Sequence, residues 1–286
     1  MVWPGLIFLF IFAYIPIYGI TIAFKDFSII GGFGNSKWVG FKYFIEFLTD
    51  PNLPNVLRNT ISMNLLNLLI GFPAPVIFAV LLSELKNVKF KKLTQTVSYL
   101  PHFLSWVIFG GLMIDLLSTD GVLNVVLRTL GIMDKPVNYI GKGNYFYFIY
   151  VFIALLKNIG FSSILYIAAI AGISQEMYEA ANIDGANRFQ KAWYITIPCI
   201  LGTVCIMLIF QISDMLNTGI EQLLVLQNSL NIGFSETLDT YVYKTGINQM
   251  RFSYSTAVGF LKSMISVLLL IGANSASKRL TEKGLF

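Results

Sequence analysis

The sequence predicts an all-α polytopic membrane protein with six transmembrane helices, and three observations lead there. Of its 286 residues, 56% are hydrophobic and 12% are Asp, Glu, Lys or Arg, about half the charged share of a soluble domain. The apolar residues fall in runs of roughly twenty, the length that crosses the hydrocarbon core of a bilayer. The lysines and arginines gather in the short polar stretches beside those runs, as membrane topology requires. That placement accounts for the formal net charge of +5, so the basic balance predicts no nucleic-acid partner. The hydrophobicity excludes a disordered chain, the unpatterned glycine excludes collagen, and two cysteines exclude a disulfide scaffold.

The spans are predicted at about 3–24, 59–85, 93–117, 145–172, 195–217 and 254–276, all within one permease-like domain over residues 1–286. The first lacks a basic leader and a small-residue cleavage site and is too long for a signal-peptide core. It starts almost at the first residue, as a chain trimmed at its N-terminus would. An even number of spans puts both termini on one side. Lys86, Lys89, Lys91 and Lys92 follow the second span, Arg188 and Lys191 follow the fourth, and Lys278, Arg279 and Lys283 follow the sixth. These nine cations fall in roughly forty residues, whereas the other side carries nine in roughly a hundred, which predicts cytoplasmic termini.

Lys157 and Lys262 fall inside spans, where an ionisable group must be paired, hydrated or snorkelling. Asp115 and Asp214 are candidate partners, so the two lysines read either as part of a water-lined path or as inter-helix ion pairs. Prolines at 16, 73, 75, 101 and 198 predict kinks or helix starts. Cys199 and Cys205, six apart in one span, point to different faces and are expected to be buried thiols. His102, the only histidine, predicts no metal cluster and no triad; it reads as a packed or hydrogen-bonded helix residue. Segments 40–49, 121–130 and 236–248 have the amphipathic pattern of short helices lying across the outer mouth.

Between the fourth and fifth spans, residues 173–198 read ISQEMYEAANIDGANRFQKAWYITIP. Ser174 can cap a helix there, with Glu176 and Glu179 near its positive end. Ala180 and Ala181 let a partner approach closely, and Asp184-Gly185 can turn the chain. Phe189, Ala192 and Trp193 form an apolar stripe leading to Thr196, a candidate cap, and Pro198 at the start of the fifth span.

The order Glu179-Ala180-Ala181, Gly185, Ile195 and Pro198 resembles the EAA loop of permease subunits of bacterial ATP-binding-cassette importers, with Ile197 where Leu usually precedes the proline. The stretches GFPAPVIFAVLLSEL (71–85), SYLPHFLSWV (98–107), DGVLN (120–124), DTYVYKTGI (239–247), STAVGFLKS (255–263) and the closing GLF narrow the resemblance to the carbohydrate branch. Within it they point to permeases for polysaccharide fragments or complex oligosaccharides, among them alginate importers. The resemblance implies a type I importer permease fold in the bacterial cytoplasmic membrane. It also implies a second, homologous permease subunit, two ATP-binding subunits and an extracellular solute-binding protein. Residues 173–194 would be the coupling loop seated on an ATPase, with Glu179, Ala180, Ala181, Asp184 and Gly185 as coupling residues. The chain has no G-x-x-x-x-G-K-[ST] loop, so ATP and Mg are expected on the partner subunits, with no cofactor or metal here and no catalysis of its own.

A sugar path needs hydroxyl-matching polar groups and aromatic faces inside the bundle. The candidates are Asn64, Asn67, Lys157, Asn158, Asp214, Asn217 and Glu221, with Gln222 at the outer end and Trp106 and Tyr166 as stacking groups. Inter-helix hydrogen bonding is the competing reading for each asparagine. A Lys157 facing the path would favour an acidic sugar such as a uronate. A gradient-driven secondary carrier is the alternative, although no internal repeat is found.

Overall fold

The computed structural model describes residues 2–281; Lys283 and the closing Gly284 to Phe286 lie outside the described residues. Six helical stretches among the described residues are long and apolar enough to cross a membrane: Trp3–Phe24, Leu53–Ser83, Trp106–Thr129, Gly143–Ala171, Arg188–Ser213 and Phe252–Arg279, the third of them broken between Leu117 and Val122. The fourth packs along the second, and the sixth along the fifth and the end of the first. Short helices at Lys42–Leu48, Val122–Thr129 and Leu238–Tyr243 occupy the three amphipathic segments. A two-residue strand pair, Lys25–Asp26 against Lys37–Trp38, and a helix at Ile220–Leu226 were not anticipated.

Three prolines are absorbed in the same way. Pro16, Pro73 and Pro198 each lie two residues beyond a π-helical turn, at Phe10–Tyr14, Asn67–Gly71 and Ala192–Thr196. A proline ring clashes with the carbonyl four residues before it and cannot donate to it. Widening that turn relieves the clash while the helix continues. The fifth span therefore does not begin near Ile195 but runs without a break from Arg188. Its cap is not Thr196, which lies inside the helix, but Asn187, whose side chain accepts from the Gln190 amide while the Gln190 side chain accepts from the Asn187 amide.

The expected third span is interrupted. A helix at Val88–Tyr99 tightens into a 3-10 turn at Leu100–Phe103, Leu104 and Ser105 are extended (ψ 142° and 154°), and a second helix starts at Trp106. Pro101 lacks an N–H to continue the first helix, and the Ser105 hydroxyl accepts from the Ile108 amide to start the second.

Two buried clusters hold the bundle. One joins Ala23, Phe44, Phe47, Val56, Leu216, Tyr254 and Val258, and the other joins Met63, Phe109, Phe146, Ile153 and Leu223. Cys199 is exposed on the surface of the chain and Cys205 is partly exposed, so the expectation of buried thiols fails. A small apolar side chain on a membrane helix can face lipid at no cost.

Candidate functional site

The loop between the fourth and fifth spans is a helix at Gln175–Ile183 with no buried residue. The Ser174 hydroxyl accepts from the Glu176 amide at its start. At its end the Gly185 amide donates to the Asn182 carbonyl (3.2 Å) and the Ala186 amide to that of Ala181 (2.9 Å), the paired bonds that close a helix through a left-handed residue. That residue is Gly185, at φ +77°. Glu179, Ala180, Asp184 and Gly185 are exposed and Ala181 is half-buried. Ile183, at the tip, is 87% exposed.

Two hydrogen bonds clamp this helix to the fifth span. Lys191 Nζ donates to Asn182 Oδ1 (2.8 Å), and the Tyr178 and Thr196 hydroxyls lie 2.9 Å apart. Thr196, taken from sequence as a cap, is thus a buried anchor. Phe189 and Trp193 stack on the surface of the same span, beside Ile77 and Leu81 of the second.

The expected path residues fall in three places. Lys157, Asn158, His102 and Trp106 meet at the interrupted third span: His102 Nδ1 lies 2.9 Å from Asn158 Oδ1, and its ring stacks on Phe161. Lys157 is 4% exposed and all three of its hydrogen bonds go to backbone carbonyls. An ammonium has three donors, so in this structure none is left over for another partner. Asp214 does not lie inside the fifth span but just beyond it, exposed and accepting from Asn217 Nδ2; Glu221 is exposed on the Ile220–Leu226 helix. Asn64 is buried and donates to the Thr60 carbonyl of its own helix. Gln222 is buried and donates to the Tyr150 carbonyl.

Asn67 opens the π-helical turn of the second span, and Gly71 closes it. A Cβ on Gly71 would meet Asn67 Oδ1 at 2.0 Å, so the amide can fold back only over a glycine. Gly71 also lines a cavity of about 340 Å³ between the second, fourth and fifth spans, with Phe72, Phe161, Ser162, Tyr166, Met207 and Gln211. Tyr166 was anticipated; Ser162 and Gln211 were not. Gln211 was legible as the one amide in the apolar run CIMLIFQIS (205–213).

Lys262 pairs with neither Asp115 nor Asp214. It forms a short ion pair with Asp239 of the Leu238–Tyr243 helix. The other Asp239 oxygen accepts from the Thr218 amide (2.6 Å) and hydroxyl (3.0 Å). Nearby, Asp50 accepts from the Tyr241 and Tyr254 hydroxyls and the Asn52 amide. Burial acts to raise its pKa, but these hydrogen bonds outweigh it and hold the carboxyl below its ordinary value. The Tyr241 hydroxyl is pushed up to about 12 by burial and by its bond to Asp50.

This architecture recurs in known proteins. The chain is 42% identical to Protein LplB of Bacillus subtilis (strain 168), over 99% of this chain and 89% of that one. It is 39% identical to the polygalacturonan/rhamnogalacturonan transport system permease protein YteP of the same organism, over 100% and 89%. A chain in the crystal structure of a bacterial alginate ABC transporter, in complex with an alginate pentasaccharide-bound periplasmic protein, superposes with a TM-score of 0.90 at 32% identity, covering 100% of this chain and 95% of that one. Residues 47–282 match the family described as binding-protein-dependent transport system inner membrane component. With six spanning helices and a clamped loop between the fourth and fifth, the chain belongs to that family and is an integral membrane permease of an ABC importer.

Proposed function

We propose that this permease carries oligosaccharides released from uronate-rich polysaccharides and forms half of the translocation path beside a second, related permease. The observation that carries the substrate class is the near full-length similarity to YteP and to the alginate transporter chain, whose names and titles specify polygalacturonan/rhamnogalacturonan and alginate. The cavity at Tyr166, Ser162 and Gln211 supports the reading: an aromatic face beside a hydroxyl and an amide is the chemistry a sugar ring needs. Asn67 stands at its edge. Asn64, Asn158, Asp214, Asn217 and Glu221 act around the path rather than at one point, and Lys157 supplies no contact to an acidic sugar.

The Gln175–Ile183 helix is the coupling helix, and Glu179, Ala180, Ala181, Asp184 and Gly185 form the face and turn that dock on an ATPase. The exposed Ile183 is the apolar anchor of that contact. Closure of two ATP-binding subunits, which hold ATP and Mg, moves this helix, and the clamps at Lys191 and Tyr178 pass the motion into the fifth span as a rigid-body step. The loop end of the bundle faces the cytoplasm: Lys91 lines one cavity with Gln175 and Tyr178 of the coupling helix, so the lysine-rich segment and the loop share a side. The opposite face receives the solute-binding protein.

The experiment is mild solubilisation from the native membrane, with identification of what co-purifies with wild type and with Gly185→Trp. A second permease retained by both and an ATPase lost only from the variant are the expected result. Recovery of wild-type chain alone after gentle cross-linking overturns the assembly. Uptake of oligogalacturonates by membrane vesicles supplied with ATP and the binding protein then tests the substrate class, and indifference to them overturns it.

A further inference from the structure

Lys157 is a buried cation with no carboxylate within ion-pair distance among the described residues; the charge of Glu221 reaches it only from further away. A charged amine inside a bilayer is costly without compensation. Here the compensation is the interrupted third span. Nζ donates to the carbonyls of Pro101 (3.0 Å), His102 (2.9 Å) and Leu104 (2.6 Å), and it lies 5.2 Å from the Trp106 ring centroid and 5.7 Å from that of Phe109. The carbonyls precede the second helix and the rings belong to it, so one side chain grips both halves of the span.

The halves have different neighbours. The first leans on the fourth span, where Gly160 lies so close that a Cβ would stand 2.3 Å from the Ser98 carbonyl oxygen. The second packs on the Ile220–Leu226 helix, where a Cβ on Gly110 would stand 2.7 Å from Val225. Between them Leu104 and Ser105 are extended; the Leu104 amide closes the first helix on the Pro101 carbonyl and the Ser105 carbonyl opens the second by accepting from the Phe109 amide, so neither bond runs across the junction. Both halves also touch the fourth span, the second through Phe109 in the cluster with Phe146 and Ile153, but the direct links from one half to the other are the backbone at Leu104 and Ser105 and the Lys157 side chain. An ammonium suits such a joint, because its three donors rotate freely and have no fixed plane.

We propose that Lys157 is a positioning residue that keeps the two halves of the third span in register, so that motion at the loop end reaches the outer helices. The inference rests on the importer reading for its transport consequence, though not for its geometry.

The test uses the chain assembled with its partner subunits in lipid, with Cys199 and Cys205 replaced and nitroxide labels at Val97→Cys and Leu112→Cys, one on each half and both exposed. Wild type is expected to give one narrow distance distribution in each nucleotide state. Lys157→Met, which keeps the length and removes the donors, is expected to broaden it. It should also lower sugar carried per ATP hydrolysed by about tenfold while hydrolysis itself continues. An unchanged distribution overturns the proposal, as does a parallel fall of hydrolysis and uptake. Where Lys157→Met does not assemble, Trp106→Leu decides: it spares the three hydrogen bonds and loosens only the second half, and an unbroadened distribution there overturns the proposal. Failure of wild type to assemble with an ATPase strikes the importer reading instead, and distances in the isolated chain still decide the role of Lys157.

Discussion

Removing the Asp239 charge leaves the partly buried Lys262 ammonium without its counter-ion, a change that costs about 1–3 kcal/mol, below the figure for a fully buried pair. Asp239→Asn is therefore expected to lower the unfolding temperature in detergent clearly. The double variant with Lys262→Met should recover most of the loss, because no unpaired charge remains. Asp50 makes a separate prediction about pH. Its folded pKa lies below the unfolded one, so its stabilising contribution is complete above the ordinary carboxylate range and is lost as pH falls through the depressed value. Acid-induced loss of structure should thus contain a step that Asp50→Asn removes, read by circular dichroism down the acid limb. Neither partnership was legible in the sequence. Asp115 and Asp214 lie within or next to expected spans, whereas Asp239 reaches Lys262 only because the chain after the fifth span folds back into the bundle, its Leu238 amide donating to Thr60 of the second span.

Single elements are specified unevenly. The loop helix was readable to its ends, since Ser174 and Gly185 are local signals for a start and a left-handed stop. The start of the fifth span was missed because Pro198 looked like a first-turn proline, while the true signal was the pair of Asn187 and Gln190, eleven and eight residues earlier. Interruption of the third span was missed although composition changes across it, Val88–Tyr99 being polar with three lysines and Trp106–Leu117 apolar, because the expected span was drawn over both sides of Pro101. Two substitutions test these elements. Gly185→Ala forces a side chain into a positive-φ conformation with no steric clash around it, costing about 1–2 kcal/mol at that turn; ATP-driven uptake should fall while the unfolding temperature changes little. Gly160→Ala drives a methyl into the Ser98 carbonyl, an overpacking cost of about 1–3 kcal/mol, whereas Gly259→Ala in the sixth span meets nothing. Thermal unfolding should separate the two.

On the scale of the whole molecule, the six-span plan was legible because hydropathy reports each span independently of the others. The lining of the cavity proposed for the sugar was not, because its residues come from three helices and their facing is decided by packing. Asn64 and Gln222 carry the right chemistry but spend it on backbone carbonyls, while Gln211 and Ser162 line the cavity. Orientation yields a direct expectation. In cells with intact membranes, an impermeant maleimide should label Val122→Cys on the outer helix and leave Ile183→Cys unlabelled until the membrane is opened. Reversed labelling would invert the assignment of sides.

The clamp between the loop helix and the fifth span has a mechanical consequence. Because Lys191 and Thr196 fasten the loop to a helix that is continuous from Arg188 to Ser213, the two form a single lever arm. Gln211 stands near its far tip, about 35 Å from Arg188 at the rise of an α-helix, so a tilt of about 10° at the loop sweeps the cavity wall through about 6 Å. That stroke is about the breadth of a sugar ring. A small rotation at the proposed ATPase contact would thus be geared up to the size of a sugar by helix length alone.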